Sequence, residues 1–435
     1  MSVASTVARR MRGLANKATR SARQGLAGAC LVALVSCSPT PQVVLIHPEG
    51  GDGAREVLQV EFSQTLTAPD NFVLRPDEFG GVAVDHARKR LYVGSRDAFL
   101  IALDTTSGRV AWEHQLSDSV SGIPVVANLS GGPGAEENDA QTALVIVGTD
   151  NGVLHAIDVD TQASRWRYET PGRIRNAPIV AEDTVYFTNS RDQIFALDVR
   201  TGEWRWQYEQ EFSNNFTVYG RAGLTFVPAA ADELAGEIGT IYTGFDNGRV
   251  VALGATSGQA LWLANVAPPE GGDFVDCDST PWVDKDAGML VVSGQSTGVH
   301  ALSLEDGSML WRYPVLGAGT VVGTDDGSLI AASSLEGLLS LDAHGGLQWR
   351  TEIDPGVLQG PVVVQGTVFL THSDLGLMAF DTLSGEMLAQ LRTGSGISTP
   401  PTFDPIGQRL YVTSNRGRFL SLRVGDGLLS SPRLP

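Results

Sequence analysis

Cysteine is scarce in this chain: three in 435 residues, at positions 30, 37 and 277, no two of them adjacent. That excludes a disulfide framework and a zinc site built from cysteine pairs. Basic residues are also in deficit, with 31 Lys and Arg against 49 Asp and Glu, a formal net charge of −18. Six of the basic residues (Arg9, Arg10, Arg12, Lys17, Arg20, Arg23) fall within residues 1–36, which hold no acid, so the remainder stands near −24. Such a surface repels polyanions and excludes nucleic-acid partners, which need a basic face; the acidity itself serves solubility. The seven histidines (47, 86, 114, 155, 300, 344, 372) are scattered, and H-E-x-x-H, G-x-S-x-G and a Walker loop are all lacking. His155 and His300 share a strand register in repeats that are not neighbours, which reads as strand packing rather than shared ligation. Asp325-Asp326-Gly327 reads as a turn, because the other ligands of a calcium loop are missing. No segment has a convincing helical period, and the apolar run Gly25–Val35 has only eleven residues, too few for a membrane-spanning helix of about 20.

That apolar run follows the basic segment, which is the layout of a secretory signal. It leads into Leu34-Val35-Ser36-Cys37, which resembles the bacterial lipobox. The resemblance implies cleavage before Cys37 and acylation of its sulfur, palmitate included. Ser38, where an Asp would retain the product at the inner membrane, implies export to the outer membrane. Residues 1–36 are then a signal peptide, 37–54 a lipidated cysteine with a Pro- and Gly-rich tether, and 55–435 the folded part. Cys277 alone remains beyond the anchor.

What the sequence has in quantity is glycine, 50 residues, and a repeat. The stretch Ala196-Leu197-Asp198-Val199-Arg200-Thr201-Gly202-Glu203-Trp204-Arg205-Trp206 reads as a strand, a tight turn and a returning strand. Asp198 suits a turn start because its carboxylate can take backbone N–H groups, and Gly202 suits a position of positive φ. The same spacing recurs from Ala102 to Gly108 and Trp112, from Ala156 to Gln162 and Trp166, and from Ala252 to Gly258 and Trp262. It recurs again from Ala301 to Gly307 and Trp311, and, one residue shorter, from Ser340 to Gly345 and Trp349. Two degraded copies follow, with Ala389 and Ser431 where the Trp would stand. Two further strand-like runs precede each hairpin, as in Ala177–Val180 and Val185–Thr188. Four antiparallel strands in a repeat of about 40 residues describe a propeller blade. The expected fold is all-β, an eight-bladed β-propeller of four-stranded antiparallel blades. Val57–Phe62, a strand without a hairpin of its own, is expected to supply the outer strand of blade 8, closing the ring and removing an edge. Trp112, Trp166, Trp206, Trp262, Trp311 and Trp349 are read as packing devices between blades.

The pattern Ala-x-Asp-x-x-Thr/Ser-Gly-x-x-x-Trp resembles the docking repeat of the pyrroloquinoline-quinone (PQQ)-type propellers, and the likeness runs from about Glu56 to the C-terminus. Within that superfamily the chain is similar to the BamB family of outer-membrane assembly lipoproteins. The likeness rests on the lipobox followed by eight blades, on Phe245-Asp246-Asn247-Gly248-Arg249-Val250, and on Asp276-Cys277-Asp278-Ser279-Thr280-Pro281. It implies a non-enzymatic scaffold, without cofactor or metal, on the periplasmic face of the outer membrane. It also implies binding to the periplasmic POTRA domains of the barrel-forming subunit BamA, and contact with unfolded outer-membrane proteins. The residues implied to meet BamA are Asp276 and Asp278, with Phe216, Val218, Tyr219 and Arg221 in the loop before blade 4. In that loop the family's arginine falls on Tyr219, and Arg221 lies two residues later. Asp276 and Asp278 alternate along an extended segment, which puts them on one side, where a cationic partner, a metal, water or a turn cap could engage them. Phe216 and Val218 fit either an interaction patch or the start of a strand. The rival reading is a PQQ-dependent dehydrogenase, whose relatives carry a Glu-Asn-Asp calcium site and often an adjacent cysteine pair that this chain lacks. A propeller with another envelope partner is the third.

Overall fold

The computed structural model describes residues 43–46, 57–67, 78–129, 142–210, 222–229, 236–267, 275–277 and 279–425. The chain divides into the units Met1–Thr40 and Pro41–Pro435, and the described residues all belong to the second. Cys37, Phe216, Val218, Tyr219, Arg221, Asp278 and Ser431 lie outside them.

Every regular element among the described residues is a strand, and the strands form eight sheets. Blade 3 shows the unit: Ile179–Ala181, Thr184–Thr188, Gln193–Asp198 and Trp204–Glu209 pair in that order, all antiparallel. The other blades lie at 82–115, 125–169, 225–265, 282–313, 318–351, 358–392 and 402–424. Burial follows from position in the sheet. Thr184–Thr188 and its counterparts are buried on both faces and read as unbroken apolar runs. Outer strands alternate instead, as in Trp204–Glu209, where Trp206 is buried between exposed neighbours. The buried apolar residues fall into eight clusters, each bridging two adjacent blades, including one between blades 8 and 1 that contains Leu91, Ile101, Tyr411 and Phe419. Eight interfaces for eight blades mean a closed ring.

Closure comes from Leu58–Thr65, which pairs antiparallel with Arg418–Val424 and completes blade 8. The register shows what this strand replaces. In each other blade the outer strand is bulged at the residue before the Trp slot: Ala196 faces Trp206 and Leu197 faces Trp204, leaving Arg205 extra. In the closing strand Ser421 faces Phe62 and Leu422 faces Val60, so Glu61 is the bulge and Phe62 holds the slot. The count along the chain that put Ser431 there is corrected: the strand that completes blade 8 comes from the other end of the molecule.

Five of the six slot tryptophans hydrogen-bond to the next blade, and Trp112 packs in the cluster between blades 1 and 2. Trp166 donates its indole N–H to the Val199 carbonyl at 3.0 Å, Trp206 to Ala255 at 3.0 Å, Trp262 to Leu304 at 3.0 Å, Trp311 to Ala343 at 2.9 Å and Trp349 to Thr382 at 3.0 Å. The indole face lies against the glycine of the same hairpin, as Trp166 does against Gly202 (φ +74°), where any Cβ would strike the ring. Phe62 lies likewise against Gly108 of blade 1. The turn is held by its aspartate: Asp198 Oδ1 accepts the N–H groups of Arg200 at 2.9 Å and Thr201 at 3.0 Å. Where blade 4 has Gly254 instead, Glu237 reaches in from the preceding loop and takes the N–H groups of Thr256 and Ser257.

The two degraded copies follow from the same geometry. Blade 8 receives its fourth strand from the N-terminus and so offers no hairpin between its third and fourth strands. Ala389 occupies the slot on blade 7, fully buried. Arg423 stands where blades 1, 2, 3, 6 and 7 have the turn aspartate, and it pairs with the bulge residue Glu61 (2.7 Å), which Arg409 also contacts at 2.5 Å. Blade 3 has the reverse polarity, with bulge residue Arg205 between Asp183 (2.7 Å) and Asp198 (2.8 Å). The segment expected as a tether, 37–54, also contributes structure: Val44–Ile46 adds as a fifth strand to the outer edge of blade 7, because the apolar run Val43–Ile46 favours a pleated, half-buried surface over solvent.

Candidate partner-binding site

In a four-stranded antiparallel blade, the turn between the second and third strands leaves from the same end as the linker to the next blade. At the junction of blades 4 and 5 that end is built by the two stretches singled out above. The turn Phe245–Gly248 of blade 4 is closed by Gly248 N–H donating to the Phe245 carbonyl at 3.0 Å, with Gly248 at φ +74°. The linker passes directly over it, and Cys277 N–H donates to the same Phe245 carbonyl at 3.1 Å. Gly244 and Gly294 make this passage possible, since a Cβ on either would overlap the backbone of Cys277 or Asp276. Cys277 is fully buried and packs with Tyr242, Val250, Leu290 and Val292.

Asp276 is 3% exposed. Its Oδ1 accepts the N–H of Gln295 in the turn of blade 5 at 3.2 Å, and its carbonyl accepts the Thr297 hydroxyl at 3.3 Å. Further along, the Ser279 hydroxyl accepts Ser293 N–H at 2.8 Å and Thr280 Oγ1 accepts Gly223 N–H at 3.1 Å, while Thr225 donates to the Pro281 carbonyl. Residues 276–277 and 279–281 are therefore stitched to both blades, and Asp276 is turned toward the chain's own backbone. This burial is what spacing alone did not reveal: alternation says which residues share a side, but not that the side faces a neighbouring turn.

Glu78 does a comparable job between blades 8 and 1. Its Oε2 accepts Arg96 N–H at 3.1 Å, its Oε1 lies 3.5 Å from Arg96 Nε, and the guanidinium extends to the Asn415 carbonyl at 3.3 Å. Burial pushes the Glu78 carboxyl up to about 7, more than the Arg96 N–H and charge pull it down. No feature of the repeat singles this residue out, because Glu78 lies in a linker outside it.

Elsewhere the buried polar groups serve the scaffold. His155 Nε2 meets the Ser117 hydroxyl at 2.9 Å and His300 Nε2 the Thr297 carbonyl at 2.9 Å. Burial pulls both imidazoles down to about 4, so both are neutral at pH 7. Among the described residues no three His, Cys, Asp or Glu side chains are grouped as metal ligands. A cavity of about 70 Å³ between blades 3 and 4 is walled by Tyr186, Trp206 and the paired Asp183 and Arg205, well below the several hundred Å³ that small-molecule sites occupy.

A family profile described as "Outer membrane protein assembly factor BamB" matches residues 63–131, 128–299 and 295–430. The chain belongs to the BamB family. A curated BamB from Shewanella oneidensis is 23% identical over 338 residues, which span 76% of this chain and 81% of that one. One from Vibrio cholerae is 28% identical over 353 residues, 80% and 85% of the two chains. Among solved structures, BamB from Moraxella catarrhalis superposes with a TM-score of 0.65 at 21% identity, covering 84% of this chain and 100% of that one. A quinohemoprotein alcohol dehydrogenase from Pseudomonas putida superposes at 0.58 with 14% identity, covering 87% and 77%. At such identities both likenesses show the fold alone. The BamB relatives are named as assembly factors, and the dehydrogenase is a distant neighbour.

Proposed function

We propose that this protein is a non-enzymatic scaffold for outer-membrane protein assembly, anchored through acylated Cys37 on the periplasmic face of the outer membrane. It binds the periplasmic POTRA domains of the barrel-forming subunit with the linker end of blades 4 and 5. The supporting observation is the meeting of the 245–250 turn with the 276–281 linker at one junction. Asp276 acts there as a positioning residue that fixes the linker, and Asp278, two residues on, is the anionic contact for a cationic side chain of the partner. Phe216, Val218, Tyr219 and Arg221, in the segment that precedes blade 4 in sequence, supply apolar and basic contacts to the same partner, and aromatic anchors of this kind dominate interface energies. The scaffold reading needs no bound group.

Co-purification from detergent-solubilised outer membranes tests this reading. Full-length wild type retains the barrel-forming subunit, and the Asp276→Ala/Asp278→Ala double variant loses most of it. Undiminished capture by the double variant removes the site. Reversible PQQ binding with alcohol-dependent dye reduction overturns the non-enzymatic role.

A further inference from the structure

The outer edge of blade 7 differs from the other seven. Its slot residue is Ala389 rather than an aromatic. The gap between blades 7 and 8 is filled from elsewhere: Val43 and Leu45 pack against the cluster containing Val57, Leu58, Ala389 and Leu391. They do so from a strand, with Val44 facing Arg392, Leu45 facing Leu391 and Ile46 facing Gln390. Val44 points outward and is 47% exposed, so the contact uses every second side chain. The strand meets only part of the edge, three of the six residues of Met387–Arg392.

We propose that the outer edge of blade 7 is a strand-acceptor site, held in cis by Val43–Ile46, that takes an extended segment with apolar side chains at alternate positions. Two features give it this specificity. Backbone groups of Gln390–Arg392 fix direction and register, as in strand addition generally. Val43 and Leu45 reach the buried cluster between blades 7 and 8 while Val44 faces outward, so alternation is read as well as extension. The resident is short, ends a long way in sequence from the strand it pairs with, and is linked to the ring by one polypeptide connection. A short tethered strand competes at an effective concentration on the order of millimolar, strong enough to be seated in the free protein and weak enough to be exchanged.

The probe is a synthetic peptide with the sequence of residues 41–48, with a scrambled peptide of the same composition beside it. Its binding is measured to the full-length chain, to Val43→Asp/Leu45→Asp, to the milder Leu45→Ala and to the outward-facing control Val44→Asp. The peptide is expected to bind Val43→Asp/Leu45→Asp saturably. Binding to wild type and Val44→Asp is expected to be at least about tenfold weaker, because their residents compete. If the double variant does not fold, Leu45→Ala carries the comparison, and amide exchange of Gln390–Arg392 supplies a second reading: at least about tenfold faster in Leu45→Ala, unchanged in Val44→Asp. Equal binding of the peptide to all four chains, equal binding of the scrambled peptide, or exchange at Gln390–Arg392 that ignores Leu45→Ala overturns the proposal.

Discussion

Phe62 is the residue on which ring closure turns, and truncating it is the most telling perturbation. It fills the slot that Trp holds in blades 1–6, lies on Gly108 of blade 1, and sits 6.2 Å from the ring of Phe419. Emptying a fully buried aromatic site costs about 3–5 kcal/mol. Phe62 is partly exposed, so Phe62→Ala is expected to lose about 2–3 kcal/mol. Phe62→Trp puts the family side chain into the family slot, where its indole N–H can reach the Thr105 carbonyl, the position matching Val199 in blade 3. One hydrogen bond contributes about 0.5–1.5 kcal/mol, so this variant should equal or exceed wild type. Urea unfolding followed by tryptophan fluorescence measures both, read as midpoint shifts at constant m-value. A Phe62→Ala protein within about 0.5 kcal/mol of wild type, or a Phe62→Trp protein as unstable as Phe62→Ala, refutes the slot assignment.

Four further outcomes follow from the junctions between blades. Glu61→Arg should destabilise by about 2 kcal/mol in urea titrations, since it sets three cations together, and adding Arg423→Asp should recover part of that loss by restoring the polarity of blade 3. Burial works to raise the Glu61 carboxyl, but hydrogen bonds and charge from Arg409 and Arg423 outweigh it and hold the group below its ordinary 4.5; its stabilisation is present above that pH and lost as pH falls through the lowered value, so Glu61→Gln should flatten the acid limb of a stability–pH curve. Glu78 has the opposite sign: with its pKa raised from 4.5 to about 7, the folded chain holds a proton that the unfolded chain has released, so stability should fall by up to about 3 kcal/mol as pH rises between those values, and Glu78→Gln should abolish the slope in thermal scans. Gly294→Ala drives a Cβ into the Asp276 carbonyl and should cost about 1–3 kcal/mol as an overpacked site, measured by the shift in unfolding midpoint.

Most of the architecture could be read from the chain because a propeller writes its period into its sequence. The Asp-to-Trp hairpins gave the blade count, and the unpartnered run Val57–Phe62 gave the closure. The reading failed where the ring departs from chain order. Ser431 follows the last hairpin-like spacing at the right distance, but blade 8 completes itself with a strand more than 350 residues away, and only pairing register reveals that Phe62 inherits the slot. Ala389 and Arg423 looked like decay of the repeat; Ala389 is fully buried in the cluster between blades 7 and 8, and Arg423 pairs with Glu61 of the closing strand. The apolar run at 43–46 is too short to outweigh its Pro- and Gly-rich surroundings in a reading of composition. At the candidate site, the sequence marks two stretches more than 25 residues apart without saying that they touch. Asp276 shows why: a carboxylate on an extended linker looks like a surface group until the turn that donates to it is in place.

The affinity of the purified full-length chain for the periplasmic domains of the barrel-forming subunit tests the scaffold account most directly, compared among wild type, Asp278→Ala and Glu305→Ala. Glu305 lies exposed on a hairpin at the opposite end of blade 5 and serves as the control. The account predicts binding at least about tenfold weaker for Asp278→Ala, or about 1.4 kcal/mol, with Glu305→Ala unchanged. Equal affinities for all three, or a loss confined to Glu305→Ala, would contradict it.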